Sequence, residues 1–353
     1  MAELEDYLKR AVDDGASDLF IVAGGRVMEK VDNVMYPISE NNMMPQETER
    51  LITELYVRAK RPIEGFLQSG DDDFSISLPG LARFRVNAYR QRGSMAVVIR
   101  VVVFEIPDFR QLNIPDQVME LADVSHGMVL VTGTAGSGKS TTQACIIDRI
   151  NRTRGCHIIT LEDPIEFLHR DQKSIVSQRE VAIDSANYLT ALRACLRQAP
   201  DVILLGEMRD HETIRTALTA SETGHLLIAT LHTKGAVNTI DRIVDTFPAG
   251  QQAQVRVQLS MVLHTVVSQQ LLPGIDGDLV PAYEIMHMNN AIRSLIRENK
   301  SHQIDNAITA GGGEGMISMD QSILGLYQQG KISREIALRF SDHPEQIARR
   351  LGA

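Results

Sequence analysis

From about residue 116 onward, the chain alternates short apolar runs with segments of helical periodicity. The apolar runs are Met128–Val131, His157–Leu161, Val202–Leu205 and Leu226–Leu231, and a further strand pair is expected at 266–272 and 280–285. Continuous apolar strands that alternate with helices are typical of a parallel sheet covered on both faces. We therefore predict an α/β domain over residues 116–353, with short helices forming its C-terminal region from about residue 289.

The first hundred residues show shorter and more mixed periods. Helical spacing is found over about residues 3–14 and 48–60, and extended runs over 19–22, 74–78, 82–89 and 95–104, with a hairpin reaching residue 38. This mixture predicts a small α+β domain over residues 1–104. Residues 105–115 include Pro107 and Pro115, and we interpret them as a linker.

One extended run of the first domain has an unusual charge pattern. Residues 81–100 contain five arginines and no acidic residue, although the whole chain carries a formal net charge of −9. Alternation along a strand places Arg83 and Arg85 on one face and their apolar neighbours on the other, so these arginines should point away from the core. They either approach a phosphate group or form a solvated face paired with carboxylates, and the sequence leaves both interpretations open.

The composition narrows the class of protein. A hydrophobic content of 43% and a charged content of 23% are ordinary for a globular protein. The negative net charge argues against a direct nucleic-acid partner, because phosphate binding requires clustered Lys and Arg. The apolar runs are shorter than the roughly 18 residues that span a bilayer, and the three cysteines form no zinc or disulfide pattern. We expect a cytoplasmic protein without a secretory signal or a transmembrane segment.

The strongest chemical signal lies between the first buried strand and the helix that follows it. Residues Gly133–Ser140 match the phosphate-binding pattern G-x-x-x-x-G-K-[ST] at every fixed position. Glycines let backbone N–H groups surround an anion, and the helix N-terminus adds partial positive charge. Lys139 is expected to reach the β- and γ-phosphates, and Ser140 to ligate Mg²⁺. The predicted nucleotide contacts are Gly133, Thr134, Ala135, Gly136, Ser137, Gly138, Lys139, Ser140 and Thr141.

Polar residues follow three more strands, at the edge where ligands of parallel sheets bind. These residues are the segment Glu162–Glu166, Glu207 and His232. Hydrolysis needs one carboxylate to orient or deprotonate water and another group to help hold Mg²⁺. Glu207 ends a Walker-B-like strand, so we predict that it holds Mg²⁺ directly or through water. Glu162 and Glu166 compete for the water-activating role, and the sequence does not decide between them.

The two histidines of the last apolar strand differ in position. His232 ends the strand and is the candidate γ-phosphate sensor, whereas His225 precedes the strand and either packs there or takes part in catalysis. Their odd spacing prevents both from sharing one face of a regular strand. The phosphate loop contains no arginine, so we expect the N-terminal arginine strand of a neighbouring subunit to stabilise the transition state, which requires a ring.

In combination these residues resemble the PilT family of type IV pilus retraction ATPases, within the secretion ATPase superfamily. The resemblance rests on Gly15–Leu19, Ala82–Ala88, Gly133–Ser140, Glu162–Phe167 (the Asp box), Gly206–Asp210 (Walker B), Thr223–Thr233 (the His box) and Ala291–Glu298. Four residues depart from the family pattern in three places: Phe20, the pair Thr134-Ala135, and Ser294. The first two do not change a side chain that contacts phosphate, so we expect activity to be retained.

The resemblance implies a PAS-like N-terminal domain, a RecA-like ATPase domain and a homo-hexamer. Such a ring uses ATP and Mg²⁺ to remove pilin from the fibre base, which powers pilus retraction and twitching motility. By position, it implies that Glu166 is the general base, that Arg85 and Arg100 act on the neighbouring subunit, and that His225 is catalytic. It also implies peripheral association with the inner face of the cell membrane, through an inner-membrane platform protein and the pilus machinery.

Four alternatives stay open at this stage. Pilus extension and type II secretion ATPases usually carry a four-cysteine zinc module, which this sequence lacks. An accessory retraction ATPase similar to PilU is closer, although the segment Ala291–Glu298 favours PilT. A RecA-like nucleic-acid motor is disfavoured by the acidic charge and by the lack of interleaved aromatic residues. A nucleotide-binding scaffold without turnover is the last alternative.

Overall fold

The computed structural model describes residues 4–32, 34–78, 80–102 and 106–351. They form two compact units. The first contains the described residues up to 102 together with Glu166–Leu168, and the second contains Ile106–Ile165 and the described residues from His169 onward. Each unit has its own hydrophobic core. In the parts of the chain described, no helix combines the length and apolar character needed to cross a membrane.

The first unit is built on a six-stranded antiparallel sheet with the order β3-β2-β1-β6-β5-β4. Its strands are β1 (Asp18–Val22), β2 (Met28–Val31), β3 (Val34–Pro37), β4 (Asp71–Leu78), β5 (Ala82–Gln91) and β6 (Ser94–Val102). Its helices are α1 (Leu4–Asp13), α2 (Pro45–Arg58) and α3 (Glu64–Ser69). Helix α3 was not predicted, because its six residues are too few to show a period. The last two residues of the predicted strand 95–104 lie outside the described residues.

Strand β5 alternates strictly between the core and the outside. Phe84, Val86 and Ala88 are fully buried, whereas Arg83 and Arg85 are only partly buried. The prediction that these arginines point away from the core is therefore confirmed. The core beneath the strand contains an aromatic group in which Tyr56 packs on other rings, including that of Phe74 at a centroid distance of 4.6 Å.

The second unit is built on a seven-stranded sheet with the order β13-β12-β7-β11-β10-β8-β9. Its strands are β7 (Gly127–Thr132), β8 (His157–Glu162), β9 (Ile175–Glu180), β10 (Val202–Leu205), β11 (Leu226–Leu231), β12 (Leu263–Pro273) and β13 (Leu279–His287). All neighbouring pairs are parallel except β12 and β13. Every residue of β7, β10 and β11 is buried, which explains the continuous apolar runs. The predicted α/β class is confirmed.

Helices cover this sheet and form the C-terminal region. They are α4 (Asp116–Met119), α5 (Lys139–Thr153), α6 (Tyr188–Cys195), α7 (His211–Glu222), α8 (Ala236–Asp245), α9 (Ala249–Val262), α10 (Asn290–Arg297), α11 (Ile304–Ala310), α12 (Met319–Gln328), α13 (Arg334–Phe340) and α14 (Pro344–Arg350). Short 3-10 helices lie at Glu120–Asp123, Ser301–Gln303 and Gly311–Glu314.

The segment interpreted as a linker packs against the second unit. Ile114 is buried, and Ile106, Phe109 and Leu112 contact the same core cluster. Residues 103–105, where the predicted boundary falls, lie outside the described residues. From residue 106 the segment is part of the second unit, and the domain boundaries as a whole stay a prediction.

Candidate functional site

The phosphate loop connects β7 to α5 and needs glycine at three positions. Gly133, Gly136 and Gly138 have φ values of 143°, 75° and 86°, a region that side chains with a Cβ rarely adopt. A Cβ atom on Gly133 would also overlap the carbonyl oxygen of Gln269. Backbone strain and steric exclusion therefore select the same residue.

The loop and its surroundings suit an anion. The buried Lys139 side chain folds over the loop, with Nζ donating to Gly133 O at 2.9 Å and to Thr134 O at 2.8 Å. The hydroxyls of Thr132 and Ser137 are buried and have no hydrogen-bond partner in the described part of the chain. Ser140 lies in the first turn of α5, whose N–H groups lack helical acceptors. Unpaired donors around a loop at a helix N-terminus fit a phosphate group.

Glu207 and His232 meet at the carboxyl edge of the sheet. Glu207 follows β10 and His232 follows the adjacent parallel strand β11, so strand pairing brings them together. His232 Nε2 lies 3.3 Å from Glu207 Oε1, and Arg209 Nη2 lies 2.7 Å from Glu207 Oε2. The carboxylate is thus held between a histidine and an arginine.

The surroundings of Glu207 keep its carboxylate charged. Burial raises its pKa, but the hydrogen bond and charge of Arg209, together with those of His232, outweigh burial and leave the pKa below its ordinary value. An ionised carboxylate is the form that would hold Mg²⁺ or a water bound to it. No group of three or more His, Cys, Asp or Glu side chains within the described ranges is arranged to hold a metal ion by itself. Protein sites generally bind Mg²⁺ through one or two carboxylates plus substrate phosphates.

Several contacts at this edge were not predicted. Thr230 Oγ1 donates to Gly206 O, and Met208 N donates to Thr230 O at 3.2 Å, which ties the Glu207 loop to β11. A Cβ on Gly206 would lie 2.7 Å from the hydroxyl oxygen of Tyr188. The one signal for Arg209 was its place in the Walker B segment Gly206–Asp210, and that for Thr230 was its place in the His box Thr223–Thr233; Tyr188 gave none.

The two carboxylates that compete for water activation have different surroundings. Thr160 Oγ1 donates to Glu162 Oε1 at 2.6 Å, and Gln178 Nε2 donates to the same oxygen at 3.3 Å. Glu166 is exposed and lies in the segment Glu166–Leu168, which groups with the first unit. Because Glu162 is engaged by its neighbours, Glu166 is the freer of the two to bind water. Its role as the general base stays a prediction.

His225 lies at the amino edge of the same sheet. It precedes β11, its Nδ1 lies 2.9 Å from Ala220 O, and its carbonyl accepts from Gly127 N at the start of β7. The six residues of β11 separate it from His232 by roughly 20 Å at about 3.3 Å per residue. Within one chain, His225 therefore does not join Glu207 and His232, and its catalytic role stays a prediction.

Arg85 and Arg100 are direct partners across strands β5 and β6. Arg85 Nε lies 3.9 Å from Asp73 Oδ1, and Arg100 Nε lies 3.0 Å from Asp18 Oδ1. The two arginine side chains are nevertheless 41% and 65% exposed. Each arginine has a carboxylate partner and is still accessible, so neither interpretation of the arginine strand is excluded, and the role in a neighbouring site stays a prediction.

The chain matches the family described as "Type II/IV secretion system protein" over residues 2–311. It is 44% identical to the Type IV pilus retractation ATPase PilT of Pseudomonas aeruginosa, over 98% of this chain and 100% of that protein. It is 45% identical to a Twitching motility protein of Neisseria gonorrhoeae, over 91% of this chain and 86% of that protein. The crystal structure of the pilus retraction motor PilT with bound ADP is similar, with a TM-score of 0.90 at 44% identity, covering 99% of this chain and 100% of that chain.

Proposed function

We propose that this chain, which belongs to the PilT family of type II/IV secretion system proteins, is an ATP hydrolase that powers type IV pilus retraction. The likeness to a retraction ATPase extends over nearly the whole of both chains, and it confirms the family resemblance of the sequence. The observation that carries the proposal is the phosphate loop, with Glu207 and His232 at the adjacent strand ends.

In the proposed reaction, the N–H groups of Gly133–Thr141 and the Lys139 ammonium bind the phosphates of ATP. Ser140 and Glu207 would hold Mg²⁺, which when bound neutralises charge that develops on the phosphates. Glu166 orients and deprotonates the attacking water. His232, hydrogen-bonded to Glu207, contacts the γ-phosphate and reports its loss to the Walker B carboxylate.

We further propose that the active form is a homo-hexamer in which Arg85 and Arg100 of one subunit serve the site of the next. The phosphate loop carries no arginine, and both side chains are accessible on their own sheet. An arginine supplied to the transition state is worth about 10³ to 10⁵ in rate. Nucleotide binding would then belong to one chain, and turnover to the ring.

The ring would act at the cytoplasmic face of the inner membrane, bound to a platform protein of the pilus machinery. Deletion of the gene in the source organism tests this role, with pilus number and surface motility as readouts and complementation by the wild-type gene as control. Abundant pili that do not retract would support the proposal. Loss of pili would identify an extension motor instead.

A biochemical experiment addresses the class of motor. Single-stranded DNA is added to the purified ATPase at low and high salt. We expect no stimulation, because the chain is acidic overall. Stimulation that disappears as salt rises would indicate a nucleic-acid motor and contradict the pilus role.

A further inference from the structure

The middle of β12 lies directly beside the phosphate loop, at the point where its pairing with β7 ends. In the pairing of β12 with β7, Val267 is opposite Val131 and Ser268 is opposite Thr132. Gln269 is therefore the first residue of β12 past the end of β7, where the loop begins. Its side chain is buried, with an exposure of 3%.

Gln269 contacts both ends of the phosphate loop and the helix that follows the loop. Its Oε1 accepts a hydrogen bond of 2.7 Å from Thr142 Oγ1, in the second turn of α5. Its Nε2 lies 2.7 Å from the position that a Cβ on Gly138 would take. Its backbone oxygen would likewise overlap a Cβ on Gly133. Gln269 thus leaves no room for a side chain at the first and last glycines of the loop, and it is hydrogen-bonded to the helix that follows.

The strand that presents Gln269 is held from its other side. Ser268 is opposite Glu284 on β13. Ser268 Oγ accepts from Gly235 N at 2.9 Å, and Glu284 Oε1 accepts from Ala236 N at 2.7 Å. Both side chains therefore anchor the start of α8, just after His232. The middle of β12 is therefore held in place between the phosphate loop and the start of α8.

We propose that Gln269 is a positioning residue that keeps the phosphate loop in the conformation that binds nucleotide. A loop with three glycines at positive φ has a large conformational freedom to lose, so an external support lowers the cost of ordering it on binding. The carboxamide of Gln269 provides that support through Thr142 and by contact with Gly138. This inference rests on the proposed ATPase function and concerns the same site.

The test compares two variants that remove the same hydrogen bond from opposite sides. Gln269→Met keeps the side-chain length, and Thr142→Val keeps the shape, but each deletes one partner of the buried bond. We expect each to weaken ADP binding and to raise the KM for ATP by about tenfold, with a smaller change in kcat. The double variant should lose no more than the worse single variant, because the two act through one bond. Thr142→Ser, which keeps the hydroxyl, should restore wild-type affinity.

Gln143→Met is the matched control. Gln143 is a buried glutamine of α5 whose amide nitrogen has no partner among the described residues. We expect this variant to bind ADP as the wild type does. Equal losses in Gln143→Met and Gln269→Met, wild-type affinity in Gln269→Met, or additive losses in the double variant would each overturn the role of Gln269.

Folding and function are separated within the same experiment. Thermal unfolding identifies a variant that does not fold, and if Gln269→Met fails, the pair Thr142→Val and Thr142→Ser decides the question alone. A wild-type protein that binds no nucleotide would refute the proposed function itself. A wild type that binds, with variants that bind equally well, refutes the positioning role alone.

Discussion

The two sheets of this chain expose their charged residues in different ways. In the antiparallel sheet, Arg83 and Arg85 project from one face of β5 while the alternate residues fill the core. In the parallel sheet, β7, β10 and β11 are buried along their whole length, and Lys139 and Glu207 come only after strand ends. A sheet covered on both faces confines its chemistry to an edge, whereas a half-covered sheet can present charge along a face.

This difference bears on what each group of charges can do. Strand-end residues of a parallel sheet converge, as the contact between Glu207 and His232 illustrates. Face residues such as Arg85 and Arg100 have exposed side chains along the strands of their own sheet. The experiments below test whether the edge binds nucleotide and whether the face supplies catalysis.

The largest expected effect on ATP turnover is at the carboxyl edge of the parallel sheet. Lys139→Ala removes the ammonium that folds over the phosphate loop, and we expect ATP turnover to fall by about 10⁴-fold with loss of nucleotide affinity. Phosphate release and ADP binding measure the two effects. Lys173→Ala, at an exposed lysine, is the control and should behave as the wild type does. Retained turnover in Lys139→Ala would place the active site elsewhere.

On the exposed face of the antiparallel sheet, Arg85→Ala and Arg100→Ala should each lower ATP turnover by about 10³-fold while ADP still binds. The free energy of unfolding should change by less than about 1 kcal/mol in Arg85→Ala, because its ion pair with Asp73 is exposed. It should fall further in Arg100→Ala, because the carboxylate of Asp18 is buried and loses its cationic partner. Arg90→Ala, at an exposed arginine of β5, is the control. Mixing Arg85→Ala subunits with Lys139→Ala subunits should restore part of the activity. No recovery in the mixture would contradict supply from a neighbouring subunit.

The two ends of β11 give a comparison within one strand. His232→Ala removes a partner of Glu207, and we expect turnover to fall by about 10²-fold. His225→Ala, at the opposite edge, should have the smaller effect on the same steady-state assay. Equal losses would mean that the amino edge also takes part in catalysis.

The smallest expected effect is a pH-dependent change in the free energy of unfolding, caused by a buried glutamate of the second unit. Burial raises the pKa of Glu284 to about 7 and outweighs the hydrogen bond from Ala236, which lowers it; the charges of Asp342 and Asp305 add smaller upward shifts. Between the unfolded and folded pKa values the folded protein binds more protons, so stability falls as pH rises. From about pH 5 to about pH 7.5, the free energy of unfolding should drop by about 2 kcal/mol from this group.

Glu284→Gln should remove most of that pH dependence, measured by denaturant unfolding at both pH values. Glu335→Gln, at an exposed glutamate of the same unit, is the control and should keep the wild-type pH dependence. An unchanged slope in Glu284→Gln would show that Glu284 titrates normally in the folded protein.

The sequence by itself determined the class of fold and the phosphate loop. Uninterrupted apolar runs such as Val202–Leu205 identify strands buried on both faces, and the alternation around Arg83 identifies a half-covered strand. The loop is readable because Gly133 and Gly138 must adopt positive φ, a local demand that the chain meets with glycine. Parallel pairing then made the nearness of Glu207 and His232 predictable from their places after two strands.

Only the tertiary structure decided the contacts that depend on strand order. Strand β9 lies at the sheet edge and is polar at Ser177–Arg179, so no apolar run marks it. The pairing of Arg209 with Glu207 depends on the path of the loop after β10. Gln269 reaches Thr142 across 127 residues of sequence, because β12 pairs beside β7. Hydrophobic periodicity and the need for glycine are local properties of the sequence. Which residues become neighbours across the sheet depends instead on how strands that are distant in the sequence pack together.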